Sequence, residues 1–220
     1  MIKILGTGNK ESLIKHPRVL NRFIVLEGID GAGTTTQMQL LVNHCQREGI
    51  PIISTEEPTK NYIGRTIRAV LRGEEQAHPS TMPILFAADR NEHLFGNQGI
   101  LYWIEQGYWV VSDRYLFSSL AYQSIDNPYA YVKQLNSKFP LPQLLFFVDV
   151  PPETGIKRIQ EREKHEIYEE LFFQQKVYTQ YRKVLNAYKN KGMGVCILDG
   201  KKAPEEIHQQ IWTFFEKFRY

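Results

Sequence analysis

The sequence predicts an α/β fold with three layers, in which a five-stranded parallel sheet is covered by helices on both faces. Short apolar runs alternate along the chain with segments whose apolar residues recur at spacings of three and four, as in amphipathic helices. Runs such as "LLFFVDV", residues 144–150, are apolar almost throughout, which is typical of a strand buried on both faces. Strands separated by helices form a parallel sheet between two helical layers.

The predicted elements follow from these patterns. Strands are predicted at residues 23–27, 50–54, 108–112, 144–150 and 195–198. Helical periodicity is clear over residues 35–48 and 83–95, Pro152 and Pro204 mark helix starts, and "DG" at 199–200 marks a turn. Residues 1–21 are predicted to be an N-terminal extension of unknown structure, and residues 22–220 to form one domain.

Composition limits the function classes. The 220 residues are 42% hydrophobic and 23% charged, without a long block of one sign, which indicates a globular domain and not a disordered chain. The formal net charge is +3 and the basic residues are scattered, so a nucleic-acid partner is not favoured. Cys45 and Cys196 lack metal-binding spacing, and we expect ordinary buried thiols. With no signal sequence and no long apolar stretch, we expect a cytoplasmic protein without a membrane partner.

The segment "GIDGAGTTTQ", residues 28–37, follows the first predicted strand and opens a predicted helix. Its glycines have the spacing of the phosphate-binding loop GxxxxGK[ST], where glycines and a helix N-terminus present backbone amides to phosphate oxygens. Strand, loop and helix in this order predict nucleotide binding. The alternative is a tight turn between a strand and a helix.

Thr34 stands where the loop motif has lysine, while Thr35 keeps the position of the hydroxyl that binds Mg²⁺. The change removes a charge-assisted contact of about 1.5–3 kcal/mol. Charge stabilisation matters most in the transition state of phosphoryl transfer. We therefore expect the change to lower the turnover rate more than the affinity for the nucleotide.

Four segments in order extend the comparison: "RFIVLEGIDGAGTTTQ", "EPT" with "IGRTIR", "LFAADRNEHL" and "SDRYLFSSLAYQ". Together with "FFVDVPPETGIKRI" and "ILDG", they resemble the thymidylate kinases from about Arg22 to the C-terminus. The resemblance implies a P-loop NTPase fold with a small lid at about residues 160–170. It also implies phosphoryl transfer from ATP to dTMP in dTTP synthesis, Mg²⁺ as cofactor, and a homodimer.

The resemblance also implies roles for individual residues. The implied ATP-binding residues are Gly28, Ile29, Asp30, Gly31, Ala32, Gly33, Thr34, Thr35 and Thr36. The implied dTMP-binding residues are Asp30, Glu57, Pro58, Arg68, Phe86, Arg90, Arg114, Ser118, Tyr122 and Gln123. The implied metal ligands are Thr35 and Asp113, and the implied catalytic residues are Arg158, Arg162, Arg114 and Thr34.

Each acceptor-site assignment has a structural alternative. Phe86 and Arg90, four apart on a helix, are expected to hold thymine, but a core phenylalanine and a solvated arginine fit the same spacing. Arg114 is expected to bind the acceptor phosphate, or else to form an ion pair with Asp113. Tyr122 either disfavours a 2′-hydroxyl or packs in the core.

Asp30 lies inside the phosphate loop, where the resemblance implies contact with the sugar 3′-hydroxyl. The alternative is an aspartate that bonds its own backbone in a turn.

The expected lid, "EREKHEIYEE", is rich in charge. Arg162 and Lys164, with Arg158 just before them, are expected to neutralise the transferring group; a solvated charged helix is the alternative. Three positions lack the positive charge that relatives carry: Thr34, Glu56 and Ile167.

These departures leave three hypotheses. The first is a thymidylate kinase of reduced activity. The second is a noncatalytic or weakly active nucleotide-binding protein derived from one, and the third is a kinase for another nucleoside monophosphate.

Overall fold

The computed structural model describes residues 18–160 and 170–219, which contain five strands and nine helices. The strands are β1 (Val19–Glu27), β2 (Ile52–Glu56), β3 (Trp109–Asp113), β4 (Leu141–Asp149) and β5 (Gly194–Asp199). The helices are α1 (Thr34–Arg47), α2 (Tyr62–Leu71), α3 (Thr81–Phe95), α4 (Ile100–Glu105), α5 (Leu116–Tyr122), α6 (Tyr129–Asn136), α7 (Pro152–Gln160), α8 (Leu171–Tyr188) and α9 (Pro204–Glu216).

All five strands form one parallel sheet in the order β2-β3-β1-β4-β5. Each predicted strand overlaps one observed strand, and Pro152 and Pro204 are the first residues of α7 and α9. The predicted α/β fold with a five-stranded parallel sheet is therefore confirmed.

Consecutive residues of β4 show that helices cover both faces of the sheet. Neighbouring side chains of a strand point to opposite faces. The Phe146 ring packs against Phe214 of α9 at 5.7 Å between centroids, whereas the Phe147 ring packs against Tyr181 of α8 at 5.2 Å. The α9 layer and the α8 layer thus enclose the sheet. Within the described residues, none of the helices has the length and apolar content needed to cross a membrane.

The first strand begins earlier than predicted. Val19 and Leu20 pair with β4, and the register then shifts before Ile24. Arg22 lies at this irregularity with a left-handed backbone, φ 61°. The exposed residues at the bulge interrupt the apolar pattern, which is why the prediction began at residue 23. Residues 19–21 therefore belong to the sheet and not to the predicted extension, whose residues 1–17 lie outside the described part of the chain.

The strand order places a ligand-binding crevice at the carboxyl end of β1. From β1 the chain builds β2 and β3 on one side, then crosses to β4 and β5 on the other. In open parallel sheets, ligands bind outside the carboxyl ends of the strands where the order reverses. The loop before α1 and the loop before α5 both lie at this point.

Leu145, fully buried in β4, provides a test of the core. We expect Leu145→Ala to lower the free energy of unfolding by about 2–5 kcal/mol, because it removes buried methyl groups and leaves a cavity. The matched control is Ile197→Ala on the edge strand β5, where the side chain is 52% exposed. It should cost roughly 0.5 kcal/mol or less. Urea unfolding of both variants measures the difference, and equal losses would contradict the assignment of β4 to the core.

Candidate active site

A cavity of about 860 Å³ lies at the carboxyl end of the sheet. It brings together most of the residues that the sequence predicted for the site. Those that line it are Ile29, Asp30, Gly31, Ala32, Gly33, Thr34, Thr35, Thr36, Glu57, Pro58, Arg68, Phe86, Arg90, Asp113, Arg114, Ser118, Tyr122 and Gln123. Gly28 and Arg158 are not among the lining residues, while Arg162, Lys164 and Ile167 lie outside the described residues.

The loop between β1 and α1 is shaped to present backbone amides. Gly31 and Gly33 have left-handed backbones, φ 76° and 94°, which glycine adopts without steric cost. A Cβ on Gly31 would lie 2.2 Å from the carbonyl oxygen of Gly155 in α7, so the loop and α7 touch backbone to backbone. Helix α1 then begins at Thr34, and its first-turn amides have no partner within the helix. The result is an anion-binding N-terminus.

Thr35 and Asp113 supply oxygen ligands of the kind that Mg²⁺ binds. The Thr35 hydroxyl donates a hydrogen bond to Asp113 Oδ2. The other carboxylate oxygen, Asp113 Oδ1, is buried and has no hydrogen-bond partner among the described residues. A buried carboxylate oxygen without a donor is well satisfied by a cation, so this pair fits a magnesium ion.

Arg114 is fixed at the edge of the loop. Its backbone is left-handed, φ 70°, which costs a non-glycine residue about 1–2 kcal/mol. Its amide donates to Leu26 O at 2.9 Å, and its guanidinium donates to Gly28 O at 3.1 Å and to the Asp30 carboxylate. The ion pair of Arg114 is therefore with Asp30, and not with Asp113 as the alternative interpretation had it.

Arg90 is completely buried beside the cavity, so the alternative of a solvated arginine is wrong. Its guanidinium donates to Glu57 Oε2 at 2.6 Å, to Ser119 Oγ at 3.0 Å and to Asn136 Oδ1. The remaining nitrogen, Nε, is buried and has no hydrogen-bond partner among the described residues. Phe86, one turn earlier on α3, lines the same cavity. The predicted pairing of ring and guanidinium on one helix face is thus present.

Helix α3 also fixes the loop after β2. Glu57 accepts hydrogen bonds from Arg90 and from His93 Nδ1, the latter at 3.0 Å. Asp89 accepts from the backbone amide of Thr59 at 2.7 Å and from its hydroxyl at 2.6 Å. These contacts hold Glu57 and Pro58 in the wall of the cavity.

Arg158 and Glu56 stand at positions where the sequence raised the question of charge. Arg158 donates to Gly200 O at 3.0 Å and, at 3.4 and 3.5 Å, to the carbonyls of Gly31 and Ala32. In this structure Arg158 therefore stabilises the phosphate loop through the loop's carbonyl groups. A catalytic role for Arg158 stays a prediction. The Glu56 carboxylate lies 3.2 Å from Lys60 and 3.5 Å from Arg68, so these cations offset its negative charge.

Glu27 is a buried residue that contacts the cavity-lining residues Tyr115 and Ser118, and the sequence analysis did not identify it. Its fully buried carboxylate accepts hydrogen bonds from the amides of Tyr115 and Ser118, at 2.9 and 3.2 Å, and from the hydroxyls of Ser118 and Tyr181. Burial raises the pKa of Glu27 to about 7, although the donors favour the ionised form. The only local signal was an acidic residue at the end of an apolar strand. Tyr181 and Gln174 of α8, far downstream, gave no signal at all.

A phosphate-binding loop between β1 and α1, placed where the order of a parallel sheet reverses, defines a P-loop nucleotide-binding domain. The chain matches the sequence profile of the family described as "Thymidylate kinase" over residues 26–211. The chain therefore belongs to the thymidylate kinase family.

Curated relatives agree with this family membership. Their names include the words "thymidylate kinase". One from Treponema pallidum is 37% identical over 204 residues, covering 91% of this chain and 98% of the relative. One from Methanococcus vannielii is 37% identical over 198 residues, covering 87% and 94%. One from Carboxydothermus hydrogenoformans is 32% identical over 203 residues, covering 89% and 97%.

Glu27 predicts a specific dependence of stability on pH. Because the pKa of Glu27 is about 7 in the fold against an ordinary value of 4.5, the folded state binds the proton more tightly. The contribution of Glu27 to stability is therefore greatest at low pH. The free energy of unfolding falls by about 3 kcal/mol as the pH rises from 4.5 to about 7. We expect Glu27→Gln to lose this slope in urea unfolding between pH 4.5 and 7.5. Glu48→Gln, on the exposed end of α1, is the control, and an unchanged slope in Glu27→Gln would contradict the assignment.

Proposed function

We propose that the protein transfers the γ-phosphoryl group of ATP to dTMP, giving dTDP and ADP. The observation that carries the proposal is that one cavity is lined both by the phosphate loop and by Phe86, Arg90 and Tyr122. A protein that only bound ATP would have no use for the second set. The names of the relatives support the same substrates.

The donor phosphates would bind the amides of the loop and the first turn of α1. These fixed dipoles need no reorganisation during the reaction, which is the main source of electrostatic catalysis. Thr35 and Asp113 would hold Mg²⁺. When bound, the ion would neutralise charge on the phosphate oxygens.

The acceptor would bind with its base between Phe86 and Arg90. The aromatic ring offers a stacking surface, and the buried Nε of Arg90 offers a donor to a base carbonyl. Arg114 would bind the acceptor phosphate, and Asp30 would accept a hydrogen bond from the sugar 3′-hydroxyl. Tyr122 is buried against Arg114, whose guanidinium carbon lies 5.2 Å from the ring centroid, and the ring would leave no room for a 2′-hydroxyl.

Thr34 leaves the phosphate cradle without the lysine charge. Thr34 is only 7% exposed and uncharged, and Arg158 is engaged with three backbone carbonyls. We propose that Arg162, with Arg158, makes up part of the missing charge when both nucleotides are bound. Turnover would then be slower than in a relative with lysine at this position.

The assembly and location of the protein are further expectations. We propose a homodimer, as the family resemblance implies. A cytoplasmic location stays a prediction from the sequence.

The proposed reaction predicts ADP release that depends on dTMP. In a coupled assay with ATP and Mg²⁺, we expect dTMP to raise ADP release well above the rate with ATP alone. UMP and dCMP, offered at the same concentration, should be poor acceptors. ATP binding without any increase on adding dTMP would refute the kinase assignment, and a larger increase with UMP or dCMP would refute the choice of acceptor.

Thr34→Lys tests the missing charge. We expect it to raise kcat about ten-fold or more, because it restores a charge-assisted contact of about 1.5–3 kcal/mol to the transferring group. Gln39→Lys adds the same charge on the exposed side of α1 and should leave kcat unchanged. Thermal unfolding of both variants verifies that they fold. An unchanged rate in Thr34→Lys would mean that other cations already supply the full charge.

A further inference from the structure

The side chain of Gln174 reaches the phosphate loop from α8, far away in sequence. It is completely buried, and its amide nitrogen donates to Asp30 Oδ2 at 2.6 Å. Its amide oxygen accepts from the Asp30 backbone N–H at 3.3 Å. One side chain thus grips both the backbone and the carboxylate of a single loop residue.

The Asp30 carboxylate is held from two sides. Arg114 donates to Oδ1, and Gln174 donates to Oδ2. Two donors on different oxygens fix both the plane and the direction of the carboxylate. Each carboxylate oxygen has two lone pairs, so each keeps the capacity to accept a further hydrogen bond. The Asp30 side chain is 25% exposed and lines the cavity, where such a bond is available to a ligand.

Helix α8 is a rigid support for this contact. Val177, Tyr181 and Val184 are fully buried in the core, and the Tyr181 hydroxyl donates to Glu27 Oε2 at 2.8 Å. The position of α8 therefore does not depend on the Gln174 amide. A polar group on a rigid element places its partner more accurately than one on a loop.

We propose that Gln174 is a positioning residue. It holds the Asp30 carboxylate in place to accept a hydrogen bond from the 3′-hydroxyl of the acceptor nucleotide. The inference rests on the proposed function, in which Asp30 contacts the sugar. Gln174 would act through the Asp30 carboxylate. Its loss should therefore affect acceptors that carry the 3′-hydroxyl more than acceptors that lack it.

The test compares dTMP with 3′-deoxythymidine monophosphate, which lacks that hydroxyl. Gln174→Met keeps the length of the side chain and removes both polar atoms. We expect it to lower kcat/KM for dTMP about ten-fold, while kcat/KM for the 3′-deoxy analogue changes by less than about two-fold. A merely structural role would lower kcat/KM for both acceptors alike.

The neighbouring glutamine provides a matched control. Gln175 is exposed on the same helix turn and bonds Glu153 at 3.1 Å, so Gln175→Met should behave as wild type. If Gln174→Met does not fold, Gln174→Leu serves instead. It also removes both polar atoms and is close to glutamine in size, and it should lose the same preference for dTMP.

The outcomes separate the two proposals. Absence of dTMP-dependent turnover in the wild type overturns the proposed function and, with it, the role of Gln174. The wild type is expected to prefer dTMP over the 3′-deoxy analogue. If the Gln174 variant keeps this preference in full, only the role of Gln174 is overturned. Equal losses for both acceptors, or no preference in the wild type, also overturn it.

Discussion

The buried carboxylate of Glu27 is the interaction on which the geometry of the site depends. Glu27 lies at the end of the central strand β1, directly before the phosphate loop. It accepts hydrogen bonds from groups at the start of α5 and on α8. Burying this group in the ionised form is costly, and the four hydrogen bonds offset part of that cost while tying Glu27 to the start of α5 and to α8. The phosphate loop, α5 and α8 are therefore all connected through Glu27.

From this anchor the polar groups of the cavity form one connected network. The Ser118 hydroxyl binds Glu27, and Arg114, on the turn that leads into α5, binds the loop through Gly28 and Asp30. Gln174 closes the network from α8. Arg90 is held separately by Glu57, Ser119 and Asn136. Groups that are distant in sequence are thus preorganised toward the same volume, which reduces the reorganisation that a bound nucleotide must cause.

Local patterns in the sequence predicted the sheet and the phosphate loop, through apolar runs and glycine spacing. The residues on the other side of the cavity came from the family resemblance and not from any local pattern. The start of β1 was missed because a bulge at Arg22 interrupts the pattern. Glu27, Gln174 and Tyr181 were missed for a different reason, since their partners are set by tertiary packing that no local spacing encodes. Arg158 was assigned a catalytic role by resemblance; its guanidinium binds the carbonyls of Gly31, Ala32 and Gly200, and the role stays a prediction.

The central claim is that the phosphate loop and the acceptor pocket act together although Thr34 replaces the lysine. The amides of the loop, the Thr35–Asp113 pair and the contacts of Arg114 with the loop are all in place without that lysine. The most direct test follows the γ-phosphate of ATP with an isotopic label in the presence of dTMP. The account predicts that the label appears in dTDP in proportion to the ADP formed. Label found only in inorganic phosphate, or remaining in ATP while ATP is bound, would contradict it.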